Sequence, residues 1–394
     1  MNEIRSDVNI IGGGLVGAIT AFSLSQLKLN ITLLEKNPKI SKNTPFNDHR
    51  TVAISEGTKI FFEKIGLWRS ISRFSEPIKR IRVIDRNLSN LLDFDNLRRE
   101  SNLGYIIKNT HLINTVYDKL IKNKNIKIFN NIEETDIQNK NEITITKHKN
   151  LSILSDLNIA ADGKNSYTRK KLKTSIFSKN YDKKAIVLTF THTVDHKGTA
   201  FEFFYENGPL AILPMKKQNN KFCSSIVWTN NSEYSEKLFL LNDEKLISTL
   251  NKNINHCLGD IKFILSKQLF PITAHLNTRF YDRRLIYIGD AAHSFHPIAG
   301  QGWNLGMKEV ENLYKLSKNY KSLGMKIGDS IFCKNFHNDN FFNAYRLYQV
   351  TDKLDKIFRS QNSMSYNIRS LGLNLIQNNK KIKNFISDFA MSVN

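Results

Sequence analysis

Gly12, Gly14 and Gly17 stand in the spacing G-x-G-x-x-G, directly after the apolar run Asp7–Ile11 (DVNII) and before the helical pattern of Leu15–Leu27. A pyrophosphate needs that order. The first glycine permits the turn out of a strand, the second lets a phosphate approach the backbone, and the third lets the helix pack closely on the sheet. Free N–H groups and the positive end of the helix dipole then face the phosphates. Glu35 closes a second strand, Asn30–Glu35 (NITLLE), where a carboxylate accepts hydrogen bonds from adenosine ribose hydroxyls and disfavours a 2′-phosphate. The chemistry implied is dinucleotide binding.

A second segment, Leu285–Gly306 (LIYIGDAAHSFHPIAGQGWNLG), repeats the logic with different groups. A buried strand delivers Gly289-Asp290, and Asp290 is suited to accept hydrogen bonds from a sugar-alcohol chain such as ribityl. Gly300 and Gly302 free the backbone before a helix expected from about Trp303. The N–H groups of that helix suit the negative charge that a reduced flavin carries near N1 and O2. Between these two segments lies Ala161-Asp162-Gly163, followed by Ser166 and Arg169. Asp48-His49-Arg50 is expected to open a helix over Thr51–Ile65, with Arg50 within reach of the pyrophosphate. His293 and His296 flank the flavin position. Either shuttles a proton, or both are held by backbone hydrogen bonds. The three separated motifs, in this order, point to FAD held non-covalently.

These residues need an α/β scaffold to position them. The βαβ unit at the start, helix His111–Ile121 and strands Ile126–Phe129, Ile143–Thr146 and Leu157–Ala160 read as a Rossmann-type FAD-binding domain. From about Tyr181 to Thr273 the texture changes to alternating aromatic and β-branched residues, the pattern of an antiparallel β-sheet crossed by one helix over Glu233–Asn253. The expected organisation is a discontinuous FAD-binding domain over 1–75, 105–178 and 274–345. A substrate domain over 76–104 and 179–273 interrupts it, and a C-terminal helical segment covers 346–394. The 394 residues carry 40% hydrophobic and 24% charged side chains, enough for a large core.

Lys and Arg number 58 against 36 Asp and Glu, a formal charge of +22. That surface suits anions. Drift toward AT-rich codons, visible in the abundance of Lys, Ile and Asn, is the simpler account of it, and no specific nucleic-acid partner is expected. Cys223, Cys257 and Cys333 form no C-x-x-C pair, so neither a disulfide framework nor a metal site is expected. The N-terminal stretch is not a signal peptide and no run of about 18 apolar residues occurs, so a cytoplasmic location is expected.

Taken together, the motifs resemble the para-hydroxybenzoate-hydroxylase-like flavoprotein monooxygenases, and within them the ubiquinone-biosynthesis hydroxylases. The narrower resemblance rests on DHRTVAIS at 48–55, LGYIIKN at 103–109, GPLAILPM at 208–215 and GDAAHSFHPIAGQGWNLG at 289–306. TDKLDKIF at 351–358 and the stretch from Arg369 to Leu373 add to it. It implies that Gly12, Gly14, Gly17 and Glu35 hold the ADP half of FAD, and that Arg50 and Asn109 also contact it. Asp162 would assist FAD and NAD(P)H binding, and Asp290 would bind the ribityl and phosphate region. Gly302 to Asn304 would meet the flavin ring, and Pro297 would lie beside it. Two positions depart from the family pattern: Lys108 replaces an acidic residue, and Lys308-Glu309 replaces Arg-Asp.

The implied reaction is hydroxylation of a polyprenylated phenol. NADH or NADPH visits transiently to reduce the flavin, and O₂ adds at C4a to give a hydroperoxide that transfers oxygen to the ring. Pro297 and His293 are the expected catalytic residues. Phe203, Leu213 and Pro214 are expected to wall a dry substrate pocket, with Phe201, Phe204 and Tyr205 beside them, although these aromatics equally suit plain sheet core. A basic amphipathic C-terminus around Leu354, Leu371 and Ile376 either rests on the inner face of the cytoplasmic membrane or packs on the protein. A multi-enzyme quinone-biosynthesis complex is an expected partner. A non-catalytic flavin-binding or scaffold subunit, or another oxidoreductase of the superfamily, is the alternative reading.

Overall fold

The computed structural model describes residues 2–38, 48–85, 90–95, 102–205, 207–297, 300–359, 376–379, 381 and 383. Its first strand, β1 (Asn2–Ile11), pairs in parallel with β2 (Ile31–Leu34) on one side and β11 (Leu151–Ala160) on the other. β2 pairs in parallel with β8 (Ile126–Phe129), and β11 with β18 (Leu285–Tyr287). β9 (Asp136–Asn139), β10 (Thr144–His148) and β17 (Tyr281–Asp282) extend the sheet in antiparallel fashion. The parallel strands read as near-continuous apolar runs because both faces are covered. α1 (Leu15–Ser25), α4 (Asn109–Ile121) and α8 (Gln301–Ser322) supply buried residues such as Ile19, Val116 and Val310 to one core with Ile10, Leu33 and Ile159.

A small sheet joins β3 (Thr51–Ile54), β7 (Gly104–Lys108) and β4 (Glu76–Ile78). The helix expected from Thr51 is therefore corrected. Thr51–Ile54 is a strand paired antiparallel with Tyr105–Lys108, and α2 (Glu56–Lys64) starts only after Ser55, whose hydroxyl accepts from the Thr58 N–H. β-branched Thr51, Val52 and Ile54 favour the strand, and the serine supplies the cap. α3 (Trp68–Ile71) follows.

The third sheet is large and mostly antiparallel. Its order is β19 (His293–Ser294), β16 (Ile261–Asn277), β12 (Ile176–His192), β15 (Lys221–Asn231), β14 (Gly208–Gln218), β13 (Thr199–Tyr205), β5 (Arg80–Asp85) and β6 (Asn90–Asp95). Two helices, not one, cross it: α6 (Ser232–Leu240) and α7 (Asp243–Ile254). Asn242 breaks the run by capping α7, its side chain accepting from the Lys245 N–H. α7 backs one face of the sheet with Leu246, Leu250 and Ile254. α5 (Tyr167–Lys171) follows β11.

α9 (Ser330–Arg359) returns across the protein. Its described end packs inward: Thr351 and Asp355 are buried, and Asp355 pairs with Lys183 of β12 at 2.7 Å, the two side chains 2% and 6% exposed. Lys179 and Tyr181 of β12 also bind Asp352. Leu371, Arg369 and Leu373 lie outside the described residues. Among the described residues no helix is long and apolar enough to cross a membrane.

Candidate functional site: a cleft at the strand ends

Four adjacent parallel strands end on one line. Ile11 pairs with Leu34 and with Ala160, and Ala160 pairs with Tyr287. The residues that follow are Gly12, Glu35, Ala161-Asp162 and Gly289-Asp290, the acidic and glycine positions singled out above. Ligands of open α/β sheets bind at such carboxyl ends.

Close backbone packing forces two of the glycines. Gly12 has φ +107°, and a Cβ there would collide with the Ala161 carbonyl and lie 2.8 Å from Asp162 Cα. A Cβ on Gly17 would overlap the Gly12 carbonyl oxygen. Gly14 differs. It caps α1 in an extended conformation, no side chain caps the helix there, and a Cβ would meet nothing within 4 Å. That open space beside unclaimed helical N–H groups fits a pyrophosphate.

Glu35 is buried, and its oxygens grip the loop: Oε2 accepts from the Gly13 N–H at 2.6 Å, and Oε1 from the Asn37 backbone and side chain. The Tyr117 hydroxyl donates to the Gly13 carbonyl at 2.8 Å. Sequence reading missed Gly13 and Tyr117, because Gly13 is a spacer position and Tyr117 lies on a distant helix.

The motifs converge. A Cβ on Gly289 would press on Val16 in the first turn of α1, so Asp290 stands beside the helix that Gly14 opens. Arg169 donates to Lys164 O, to Ala291 O at 3.1 Å and to His275, tying the Asp162 loop to the Asp290 segment. Asp162 accepts from the Thr168 N–H through Oδ2, while Oδ1 is buried without a partner. Asp290 is reached by solvent yet surrounded by protein, the signature of a cleft floor. Burial raises its carboxyl above the usual range, against the pull of His293, Arg50 and Lys164.

Asp48 organises the next wall. It takes Arg50 bidentately at 2.9 and 2.7 Å and accepts from Asn109 Nδ2 at 2.9 Å. The Arg50 guanidinium is half exposed and lies over the Phe270 ring at 5.2 Å. Asn109 Oδ1 is buried without a partner. Burial alone would raise the Asp48 carboxyl, but Arg50 and Asn109 together hold it below its usual value. Because the folded value is depressed, Asp48 stabilises the fold fully above its unfolded value near pH 4, and the contribution disappears as pH falls through the lower folded value. The stability gap between wild type and Asp48→Asn should therefore be widest above about pH 4 and close under acid, as read by thermal melts across pH.

Three expectations change at the second motif. His293 is 1% exposed; Nε2 meets Glu309 Oε1 at 2.5 Å, and its ring stacks on Phe295. It is buried and braces the segment. Glu309 is 0% exposed and also accepts from the Gly289 N–H at 2.8 Å. The Lys308-Glu309 departure thus supplies the buried anchor of the Asp290 turn. The Asn304 side chain does not face the cleft. Its Oδ1 accepts from the Ser55 N–H and the Thr58 hydroxyl, and its Nδ2 donates to Ala53 O. α8 begins at Gln301, two residues earlier than expected, with Gly300 at φ +60° and open space around it. Pro297 is exposed just before it, and Gly302 lies in the first turn near Phe295.

The expected pocket wall divides by strand alternation. Phe203 stacks with Phe201 and Tyr205 in the core backed by α7. Pro214 shares the face of Ile212 on that same side. Leu213 lies on the opposite face, in a cluster with Met215, Ala200, Ile106 and Ala53, on the side of the small sheet.

Fold and cleft define a dinucleotide-cofactor protein whose parallel sheet carries the phosphate-binding loop and whose antiparallel sheet meets the cleft residues Arg50 and Arg169 through Phe270 and His275 of β16. The chain belongs to the FAD binding domain family, which it matches over residues 5–323. FAD is its cofactor, and the glycine cradle, the two uncapped helix starts and the orphaned Asp162 and Asn109 oxygens fit that group. The chain is 25% identical to ubiquinone hydroxylase UbiM of Neisseria meningitidis, covering 98% of this chain and 84% of that one. It is 28% identical to the mitochondrial ubiquinone biosynthesis monooxygenase COQ6 of Drosophila melanogaster, covering 98% and 89%. The fold matches p-nitrophenol 4-monooxygenase PnpA of Pseudomonas putida at TM-score 0.79 and 16% identity, covering 99% and 98%. It also matches the FAD complex of a Klebsiella pneumoniae HpxO variant at 0.75 and 14%, covering 98% and 99%.

Proposed function

We propose that this chain is an FAD-dependent monooxygenase that hydroxylates the aromatic ring of a polyprenylated phenol in ubiquinone biosynthesis, with NADH or NADPH and O₂ as co-substrates. The carrying observation is the line of strand ends that assembles Gly12, Glu35, Asp162 and Asp290 into one cleft, in a chain similar over nearly its whole length to ubiquinone hydroxylases. When bound, FAD supplies the oxidation-reduction and oxygen-activating chemistry. The chain binds and orients. Gly14 and the start of α1 take the pyrophosphate, and Arg50, fixed by Asp48, adds its charge to it. Asp290 takes the ribityl hydroxyls. The start of α8 and Pro297 border the ring, and the antiparallel sheet excludes water from the reacting face.

We further infer that the protein works at the inner surface of the cytoplasmic membrane, where a prenylated substrate resides. Its net charge of +22 suits an anionic leaflet. Membership of a quinone-biosynthesis complex is compatible with the same reading.

The purified protein should be yellow, and a prenylated phenol should stimulate its NAD(P)H-dependent oxygen uptake. A yellow protein that consumes no oxygen with any such phenol would indicate the scaffold reading instead. Asp290→Ala should lose FAD on dilution roughly ten- to a hundredfold more readily, the effect of about 1.4–2.8 kcal/mol of lost hydrogen bonding; flavin fluorescence on gel filtration reads it. Full retention in that variant would remove Asp290 from the cofactor site.

A further inference from the structure

The chain leaves the antiparallel sheet after Ser294, the last residue of β19 paired with β16, and enters α8 at Gln301. Pro297 is exposed in that stretch, but its neighbour His296 turns inward and is 2% exposed. What the imidazole meets comes from the far end of the chain. Its Nε2 lies 3.6 Å from Asp355 Oδ1 of α9, and its ring stands edge-on to Tyr181 of β12 with centroids 5.0 Å apart. Asp355 is fixed from its other side by the Lys183 ammonium at 2.7 Å. The Tyr181 hydroxyl donates to Asp352 at 3.2 Å, and Lys179 and Lys356 also bind that carboxylate. Groups from α9, β12 and the stretch before Pro297 thus form one buried cluster.

Docking of α9 does not require charge at this spot. Tyr348, earlier on α9, already packs with Tyr181, Ala185, Ile272 and Ala274. Taking a carboxylate and an ammonium out of water is costly, and an apolar pair of similar size often docks two elements as well or better. What the carboxylate adds is a fixed place for His296. Proline locks its own φ and restricts the residue before it to extended conformations. A held His296 therefore leaves Pro297 little freedom.

Resting on the reading that Pro297 borders the flavin ring, we propose that Asp355 is a positioning residue for the flavin site: clamped by Lys183, it holds His296, and the bond from His296 to Pro297 carries that constraint to the edge of the ring. At 3.6 Å the contact with the imidazole is one of charge and packing and not a hydrogen bond. Asp355 acts on position, and no bond forms or breaks there.

The test uses the FAD-loaded full-length protein. It reads the visible circular dichroism of the bound flavin, which needs no turnover, and then kcat and KM for NAD(P)H oxidation with a 2-prenylphenol. His296→Gln leaves the Lys183–Asp355 pair in place, and Asp355→Asn leaves His296 in place. Each should alter the flavin spectrum and lower kcat roughly ten- to a hundredfold with KM little changed. The double variant should be no worse than the poorer single one, because both cut the same connection. Asp355→Glu should recover part of the loss. Lys183→Met/Asp355→Leu exchanges the buried pair for apolar side chains, so it should melt no lower than wild type and still show the altered flavin spectrum. Additive losses in the double variant, or a wild-type flavin spectrum in both His296→Gln and the apolar exchange, overturn the assignment. Wild type that oxidises no NAD(P)H with the phenol counts against the hydroxylase reading, while the flavin spectra still decide the role of Asp355.

Discussion

Gly17→Ala should abolish stable folding of the cofactor domain, while Gly14→Ala should fold normally and lose FAD. The two glycines sit three residues apart in one motif, yet their surroundings are opposite. A methyl on Gly17 overlaps the Gly12 carbonyl oxygen and touches Ala161, backbone on one side and packed core on the other, and nothing there can yield. Overpacking against backbone costs about 3 kcal/mol or more, a large share of a stability near 5–15 kcal/mol. A methyl on Gly14 enters open space in an extended conformation that alanine adopts, so its effect on stability stays within about 0.5 kcal/mol. That space is where the phosphates approach, and filling it should weaken FAD roughly ten- to a hundredfold. Circular dichroism melts and flavin titration of the two variants separate these effects. Equal behaviour of both would mean that Gly14 faces no ligand.

Glu309→Ala should be the most damaging side-chain truncation near the flavin end. The carboxylate is fully buried between His293 Nε2 and the Gly289 N–H, and its removal leaves both donors without an acceptor in a dry interior. Breaking a buried pair from one side costs about 3–5 kcal/mol. The Asp290 turn should lose its anchor with it, so FAD affinity falls together with the melting temperature. Glu309→Gln keeps one acceptor oxygen and should recover part of both. If Glu309→Ala melts like wild type, the pair braces nothing.

The cofactor half was largely legible in the sequence because its demands are local. A strand, a glycine spacing and a helix start within ten residues announce Gly12, Gly14 and Gly17, and the Asp290 segment carries its own strand, turn and helix. What stayed hidden depends on pairing across long separations. Thr51–Ile54 reads as the start of a helix until Tyr105–Lys108 pairs with it. Asn304 looks like a flavin contact until Ser55 and Thr58 arrive from some 250 residues away. Phe201, Phe203, Phe204 and Tyr205 read as one wall, but strand alternation splits them, and the apolar positions of α7 could have shown which face was already covered.

The most direct measurement is turnover of the FAD-loaded protein under ¹⁸O₂ with NAD(P)H and a prenylated phenol, followed by mass spectrometry of the aromatic product. One labelled oxygen atom should appear on the ring for each nicotinamide consumed under tight coupling. Nicotinamide oxidation that yields only labelled hydrogen peroxide, with the phenol unaltered across a panel of prenylated rings, would contradict the account.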